Sequence, residues 1–312
     1  MPEVVLAVDI GGTKTAVAVA DRDDVLRRRV TAPTPASAGP QAVIDTVVSL
    51  ARSVLTADGE SLVGVGIGTA GIVDAGSGTI VSATDTFADW PGTPVAELVR
   101  RGLADLLPED AVVAVQNDVD AHAVGEFRHG AAAAASSALV VAVGTGVGSG
   151  VILDGDVVRG AHHVGGEIAH VPIPGAEHLR CPCGRFGHLE ALGSGIGMHR
   201  HFLSLGGDPA VPDARGVAAA AAGGDPIASR ALSESAAAVG RAIAGAATLI
   251  DPEVVVLTGG VPNIGEPWWR PLRDAYAREA IDALQNTPLL AGTLGDDAPL
   301  RGAAGSAWRK NP

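Results

Sequence analysis

The sequence predicts an α/β fold with an internally duplicated core, and three observations carry that expectation. Hydrophobic residues make up 47% of the chain but aromatic ones only 3%, so the cores must be built from Val, Leu, Ile and Ala. Strand-like runs Val4 to Asp9 and Thr15 to Ala20 flank a glycine turn, Ile10-Gly11-Gly12-Thr13-Lys14, and the same plan returns in Leu139 to Val143 and Gly150 to Leu153 around Gly144-Thr145-Gly146-Val147-Gly148. Apolar runs of strand length also alternate with segments of helical periodicity along the chain.

After the first hairpin, Gln41 to Leu55 places apolar residues at 43, 44, 47, 48, 51, 54 and 55, one face of a helix. Thr93-Pro94 supplies a capping residue followed by Pro at a first helical position, opening a helix towards Leu107. Ala111 to Val115 reads as a buried strand ending at Gln116-Asn117-Asp118, where a helix begins and runs towards Phe127. Pro226 to Ile250 forms a long Ala-rich helix, Glu253 to Leu257 a buried strand, and Pro267 to Leu284 an amphipathic helix. Pro33-Thr34-Pro35, Asp208 to Asp213 and Gly223-Gly224 read as surface connections. The expected division is a smaller N-terminal domain, 1–117, completed by the C-terminal helix 298–312, and a larger domain, 118–297.

A net charge of −13 repels nucleic acid and anionic membranes. The basic triplet Arg27 to Arg29 falls in a strand and reads as a solvated sheet edge. No apolar run is long enough to span a bilayer and no export signal precedes Val4, so a cytoplasmic protein is expected. The two cysteines, Cys181 and Cys183, are one residue apart, a poor disulfide framework but a ligand spacing.

The glycine turns expose backbone amides that can cradle phosphate oxygens; Thr13 adds a hydroxyl, and Asp9 can face a magnesium ion directly or through water. Lys14 is one of two lysines in the chain. The phosphate-binding candidates are therefore Asp9, Gly11, Gly12, Thr13 and Lys14, then Gly144, Thr145 and Gly146, with Gly259 and Gly260 as a third backbone approach under an adenosine. Asn117 and Asp118, at a strand-to-helix junction, read either as helix caps or as a hydroxyl-binding amide and a proton acceptor for attack on a γ-phosphate. His170, Cys181, Cys183 and His188 offer the ligand number of a closed tetrahedral zinc site. Glu167 and Glu190 flank it and can bond sugar hydroxyls, whereas His162, His163 and His178 read as solvated loop residues.

These segments carry a resemblance covering essentially the whole chain. LAVDIGGTKTAVAV, QNDVDAHAVGE, VAVGTGVGSGVILDG, GGEIAHVPI and CPCGRFGHLE together resemble the ROK family of bacterial sugar kinases and repressors. The resemblance implies a duplicated actin-like ATPase (ribonuclease H-like) fold with two domains around a nucleotide and sugar cleft, and ATP-dependent phosphorylation of a sugar such as glucose. It implies Asp118 as catalytic base, Asn117, Glu167, His170 and Glu190 as sugar ligands, and a zinc-bound His170 that also faces the sugar. ATP with magnesium, structural zinc and a homodimer or homotetramer are expected.

Two departures bear on the substrate. His188 stands where the family usually places a third cysteine. Thr86, with Asp85 beside it, stands four residues before Trp90, where family glucokinases commonly carry Asn; both are assigned to the sugar loop. Aminosugars and cyclitols are therefore alternative acceptors. A sugar-responsive regulator is less favoured, because the chain begins directly with the first strand, and a non-catalytic sugar-binding module is disfavoured by Asp118 and both phosphate turns.

Overall fold

The computed structural model describes residues 1–55, 59–84 and 86–310 and divides into two compact units. The first comprises Met1–Ala133, Val157–Gly165 and Thr293–Pro312; the second comprises Ala134–Asp156 and Gly166–Gly292. Asp118 and the helix it starts thus lie in the first unit, together with the C-terminal helix Ala298–Lys310.

In the first unit, β1 (Glu3–Ile10), β2 (Lys14–Ala20), β3 (Leu26–Pro33), helix α1 (Pro40–Val54), β4 (Ser61–Thr69), the ribbon β5 (Ile72–Asp74) and β6 (Thr79–Ser82), α2 (Val95–Gly102), β7 (Val112–Asn117) and α3 (Asp118–His129) follow in order. The sheet runs β3-β2-β1-β4-β7, antiparallel at β1/β2 and parallel at β1/β4 and β4/β7. In the second unit come β8 (Ala138–Val143), β9 (Val147–Leu153), β10 (Asp156–Val157), α4 (Glu190–Gly193), α5 (Gly195–Ser204), α6 (Ala214–Ala222), α7 (Pro226–Ile250), β11 (Val254–Thr258), α8 (Glu266–Glu279) and β12 (Leu289–Ala291). Their order, β10-β9-β8-β11-β12, repeats the first sheet, with β8/β9 antiparallel and β8/β11 and β11/β12 parallel. The duplication read from the two glycine turns is therefore a duplication of sheet topology.

Strand alternation sorts the first core into two layers. Val4, Leu6, Val8 and Ile10 pack towards α1 and α2, while Val5 and Ala7, with Ala16, Ala18 and Ala20 of β2, pack under Leu300, Ala304, Ala307 and Trp308 of the C-terminal helix. β3 is an edge, and its arginines are paired: Arg27 with Asp21 at 2.6 Å, Arg28 with Glu60, and Arg29 with Asp297 at 2.6 Å. That pairing discharges the basic triplet. Among the described residues no helix is long and apolar enough to cross a membrane.

α2, α8 and β4 depart from the sequence expectation, and the shorter elements β5, β6, β10, α4, α5, α6 and β12 have no counterpart in it. Thr93 does not cap α2: Pro94 holds the cap position without a side-chain bond, and the Thr93 carbonyl instead accepts from Ile80 N at 3.0 Å. α2 stops at Gly102, where a Cβ would overlap Val48 of α1, although Leu103 and Leu107 beyond it remain buried. α8 ends at Glu279 because Ala280 turns extended, and Asp282–Leu284 form a separate 3-10 turn. β4 was not anticipated, since SLVGVGIGT lacks a run of large apolar residues. Its glycines serve close packing: a Cβ on Gly66 would overlap the Ala303 carbonyl oxygen of the C-terminal helix.

Backbone cannot yield as a side-chain tip can, so Gly66→Ala should destabilise the protein by about 1–3 kcal/mol or more. Chemical denaturation will show this as a lowered midpoint, whereas Gly260→Ala, with nothing within 4 Å of the added carbon, should stay close to wild type.

Candidate functional site

In the first unit the β1–β2 turn is closed by Gly11 N donating to Lys14 O at 3.1 Å, and Thr34 Oγ1 donates to Gly11 O at 2.7 Å. Thr86 lies against this turn: a Cβ on Gly12 would come within 2.5 Å of its methyl carbon, and its hydroxyl shares a hydrogen bond with Thr84 Oγ1 at 3.1 Å. Asp85 lies outside the described residues. Trp90 anchors the loop, fully buried, stacked on Phe87 with centroids 5.0 Å apart and donating from Nε1 to Ala70 O at 3.2 Å.

Asp9 closes the apolar row of β1. Burial, reinforced by the charge of Asp118 and opposed by Lys14, pushes its carboxyl up to about 7. Asn117 acts as a helix cap: Oδ1 accepts from Val119 N at 2.8 Å and Asp120 N at 3.2 Å, and Nδ2 donates to Gly71 O at 2.9 Å. Its acceptor is thus spent on the backbone, and one amide hydrogen remains to offer a ligand. Asp118 Oδ1 accepts from Val119 N at 3.0 Å, which fixes the carboxylate at the helix start.

In the second unit the β8–β9 turn is held from below. Gly195 N donates to Gly144 O at 2.8 Å, and Val147 N donates to Glu190 Oε2 at 2.6 Å. Gly144 itself has nothing within 4 Å of an added Cβ, so the space above it is open, while a Cβ on Gly146 would come to 3.0 Å from Glu190 Oε1. Gly259 has φ +93 and no room for a Cβ against the Val143 carbonyl. A hollow of ≈ 820 Å³ runs past Gly144, Thr145, Gly260, Ile196, His199 and Asn263. Sequence reasoning found its glycines but not the last three, which carry no motif of their own.

His170, Cys181, Cys183 and His188 come together with one donor atom of each lying within 4.8 Å of the others. His170 Nδ1 is 3.7 Å from Cys181 Sγ, and His188 Nδ1 is 3.3 Å from Cys183 Sγ. Bonds of about 2.3 Å to sulfur and 2.0 Å to nitrogen at tetrahedral angles separate such donors by ~3.6 Å, so the set fits zinc. Burial lowers the basicity of both imidazoles and pushes the Cys181 thiol up to about 11. His170 Nε2, on the far side of its ring, is 3.9 Å from Glu167 Oε2. Burial also raises Glu167 and Glu190, the latter further raised by the charge of Glu167. The knuckle is shaped by Cys181 N donating to Arg185 O at 2.8 Å and by positive φ at Gly184 and Gly187. His163 meets Asp74 at 4.0 Å, both in the first unit.

Sequence reading also passed over Gln116 and His122. Gln116 is buried and braces the end of β7, accepting from Arg159 at 3.2 Å and Ser306 Oγ at 3.0 Å. His122 stands four residues after Asp118 on α3, a helical spacing that was there to be read; burial holds its imidazole below the ordinary value.

A family model described as ROK family matches residues 5–310. Similar relatives include a glucokinase of Thermotoga maritima, 30% identical over 97% of this chain and 97% of its own length, and an N-acetylmannosamine kinase of Citrobacter koseri, 34% identical over 96% and 97%. Among solved structures, a ROK hexokinase from Thermus thermophilus matches with TM-score 0.86 and 32% identity, covering 99% of each chain. A ROK family glucokinase from Streptomyces griseus, in complex with glucose and AMPPNP, matches with TM-score 0.80 and 30% identity over 98% of this chain and 99% of that one.

Asp9 gives a pH signature. Its folded pKa of about 7 exceeds the ordinary 3.8, so the stability it contributes in acid is lost as pH rises from 3.8 through about 7. Asp9→Asn should therefore be more stable than the wild type without ligand, by a margin that grows from about pH 4 and levels off above 7. Thermal unfolding of both proteins between pH 5 and 8.5 checks this, with parallel curves as the contrary result.

Proposed function

Because the chain belongs to the ROK family, we propose that it transfers the γ-phosphoryl group of ATP to a sugar hydroxyl, foremost the 6-hydroxyl of glucose or a related hexose. The observation that carries this reading is Asp118, fixed at the β7–α3 junction and electrostatically coupled to the half-buried Asp9 beside the first glycine turn. Asp118 takes the proton of the attacking hydroxyl as its oxygen bonds to the γ-phosphorus and the bond to the ADP oxygen breaks. At a helix N-terminus this carboxylate is a weak base, so it contributes chiefly by orientation.

The first unit supplies Asp118, the remaining amide hydrogen of Asn117, and the turn amides with Thr13 and Lys14. The second supplies Glu167, Glu190 and His170 Nε2 for sugar hydroxyls, and open amides at Gly144 to Gly146 for phosphate. Gly259 and Gly260 lie along the side proposed for the nucleoside. Magnesium accompanying the nucleotide would offset phosphate charge, and Asp9 is the carboxylate to hold it. Zinc on His170, Cys181, Cys183 and His188 would fix the knuckle that carries His170 towards the sugar.

Thr86 in place of the Asn common in family glucokinases, together with the likeness to an N-acetylmannosamine kinase, supports an aminosugar as the second choice of acceptor; cyclitols follow. Leu249, 86% exposed beside a hollow of ≈ 1370 Å³ along α7, supports a homodimer or homotetramer. The charge of −13 and the paired arginines of β3 speak against a nucleic-acid partner. The cytoplasm, where ATP and free sugars are available, is the proposed compartment.

ADP release over a panel of hexoses, aminosugars and cyclitols tests the acceptor, and no turnover on any of them would refute the kinase reading. Asp118→Asn should lower kcat by roughly 10²-fold to 10⁴-fold while leaving the folded state and sugar affinity nearly intact; turnover within threefold of wild type would remove it from the chemistry.

About one zinc per chain is expected in protein purified without chelator. His188→Ala should lose it and bind sugar poorly, whereas His188→Cys should retain metal. Elemental analysis decides, and full zinc in the alanine variant would show that His188 is no ligand.

A further inference from the structure

Lys14 has two carboxylates to choose from. In the β1–β2 ladder Asp9 lies opposite Ala16, so Lys14, two residues away on β2, shares its face and stands diagonal to it. A lysine can span that diagonal easily. On the same face the C-terminal helix covers the sheet with Leu300, Ala304, Ala307 and Trp308, and Asp296 precedes that helix. Lys14 Nζ lies 2.9 Å from Asp296 Oδ2. Arg29 of β3 holds the acceptor in place, at 3.7 Å from Asp296 and 2.6 Å from Asp297.

Stability does not explain this pair. The side chains of Lys14 and Asp296 are 45% and 75% exposed, and ion pairs so open to water contribute about 0–1 kcal/mol. Asp9, by contrast, is a desolvated carboxylate beside Asp118, where a cation is attracted much more strongly. An untethered Lys14 would fold back along the diagonal and neutralise Asp9 itself, and a lysine ammonium cannot be displaced from such a site without cost.

We propose that Asp296 is a positioning residue that draws Lys14 off Asp9 and so keeps the Asp9 carboxylate open to the divalent cation carried by the nucleotide. The inference rests on the nucleotide reading given above and adds to it a residue that never touches the cation. His122 also faces Asp296, and burial lowers the basicity of its imidazole. Asp297 is spent on Arg29. Asp296 stands in no phosphate-binding turn, and the sequence gives it no motif.

The test uses equilibrium binding. The rise in melting temperature of the full chain with AMPPNP is titrated with Mg²⁺ for the wild type, Asp296→Asn, Asp296→Glu, Lys14→Met and the double variant Lys14→Met/Asp296→Asn. Asp296→Asn should need at least about 5-fold more Mg²⁺ for half the rise, Asp296→Glu should recover most of the difference, and Asp296→Asn should add nothing in the Lys14→Met background. A purely structural role would instead lower the melting temperature without ligand and leave the Mg²⁺ midpoint unmoved. Coincident wild-type and Asp296→Asn titrations, or an Asp296→Asn effect that persists undiminished without Lys14, would overturn the proposal. Absence of any nucleotide-dependent rise in the wild type would overturn the nucleotide reading itself and the clamp with it.

Discussion

In the first unit, backbone-to-backbone contact between helices sets the positions of Asp118 and Asp296. α3 and the C-terminal helix approach so closely that a Cβ on Gly302 would overlap the Ala121 carbonyl and one on Gly125 the Ala298 carbonyl, while Gly66 admits the C-terminal helix onto β4. Side chains cannot be interposed, so the two helices have little freedom to slide or rotate against each other. Asp118 begins one of them, and Asp296 immediately precedes the other. Gln116 ties the end of β7 to the same contact by donating to Gly302 O at 3.3 Å, and Glu126 of α3 accepts from Leu294 N at 2.9 Å.

The second unit meets a different demand, because its functional groups sit on loops. A loop is precise only when its backbone groups are satisfied and its ends are fixed. Glu190 does both, holding Val147 N of the β8–β9 turn while sitting two residues after His188 of the His/Cys cluster. Turn and knuckle are thereby linked through one carboxylate. A substitution at His188 should consequently be felt at the β8–β9 turn as well as within the cluster.

Carboxylates at these places are held against their own preference. Asp9, Glu167 and Glu190 all have raised pKa values, and burial is the leading cause for each. Among the described residues none of the three forms an ion pair with a lysine or arginine, and Lys14, whose charge reaches Asp9, is directed to Asp296. Carboxylates raised by burial in this way mark candidate sites rather than structural ion pairs. Asn117 shows the opposite economy: the same amide serves as helix cap and keeps a hydrogen for a ligand.

The sequence by itself determined the glycine turns, the Asn117-Asp118 junction and the two-Cys, two-His set, because each is a local pattern whose chemistry depends on spacing along the chain. It also determined the duplication, since two turns of one plan imply two sheets of one plan. It mispredicted α2 and α8 at their ends, where Leu103 leaves helical backbone angles and Ala280 turns extended despite helical periodicity. It was silent on β4, whose glycines have no meaning until the C-terminal helix lies across them. Tertiary structure alone decided that Thr86 rests on Gly12, that Glu190 braces the second turn, and that Lys14 pairs with Asp296, 282 positions away in the chain, rather than with Asp9. Those choices are made by contacts between residues remote in the chain, and no local periodicity records them.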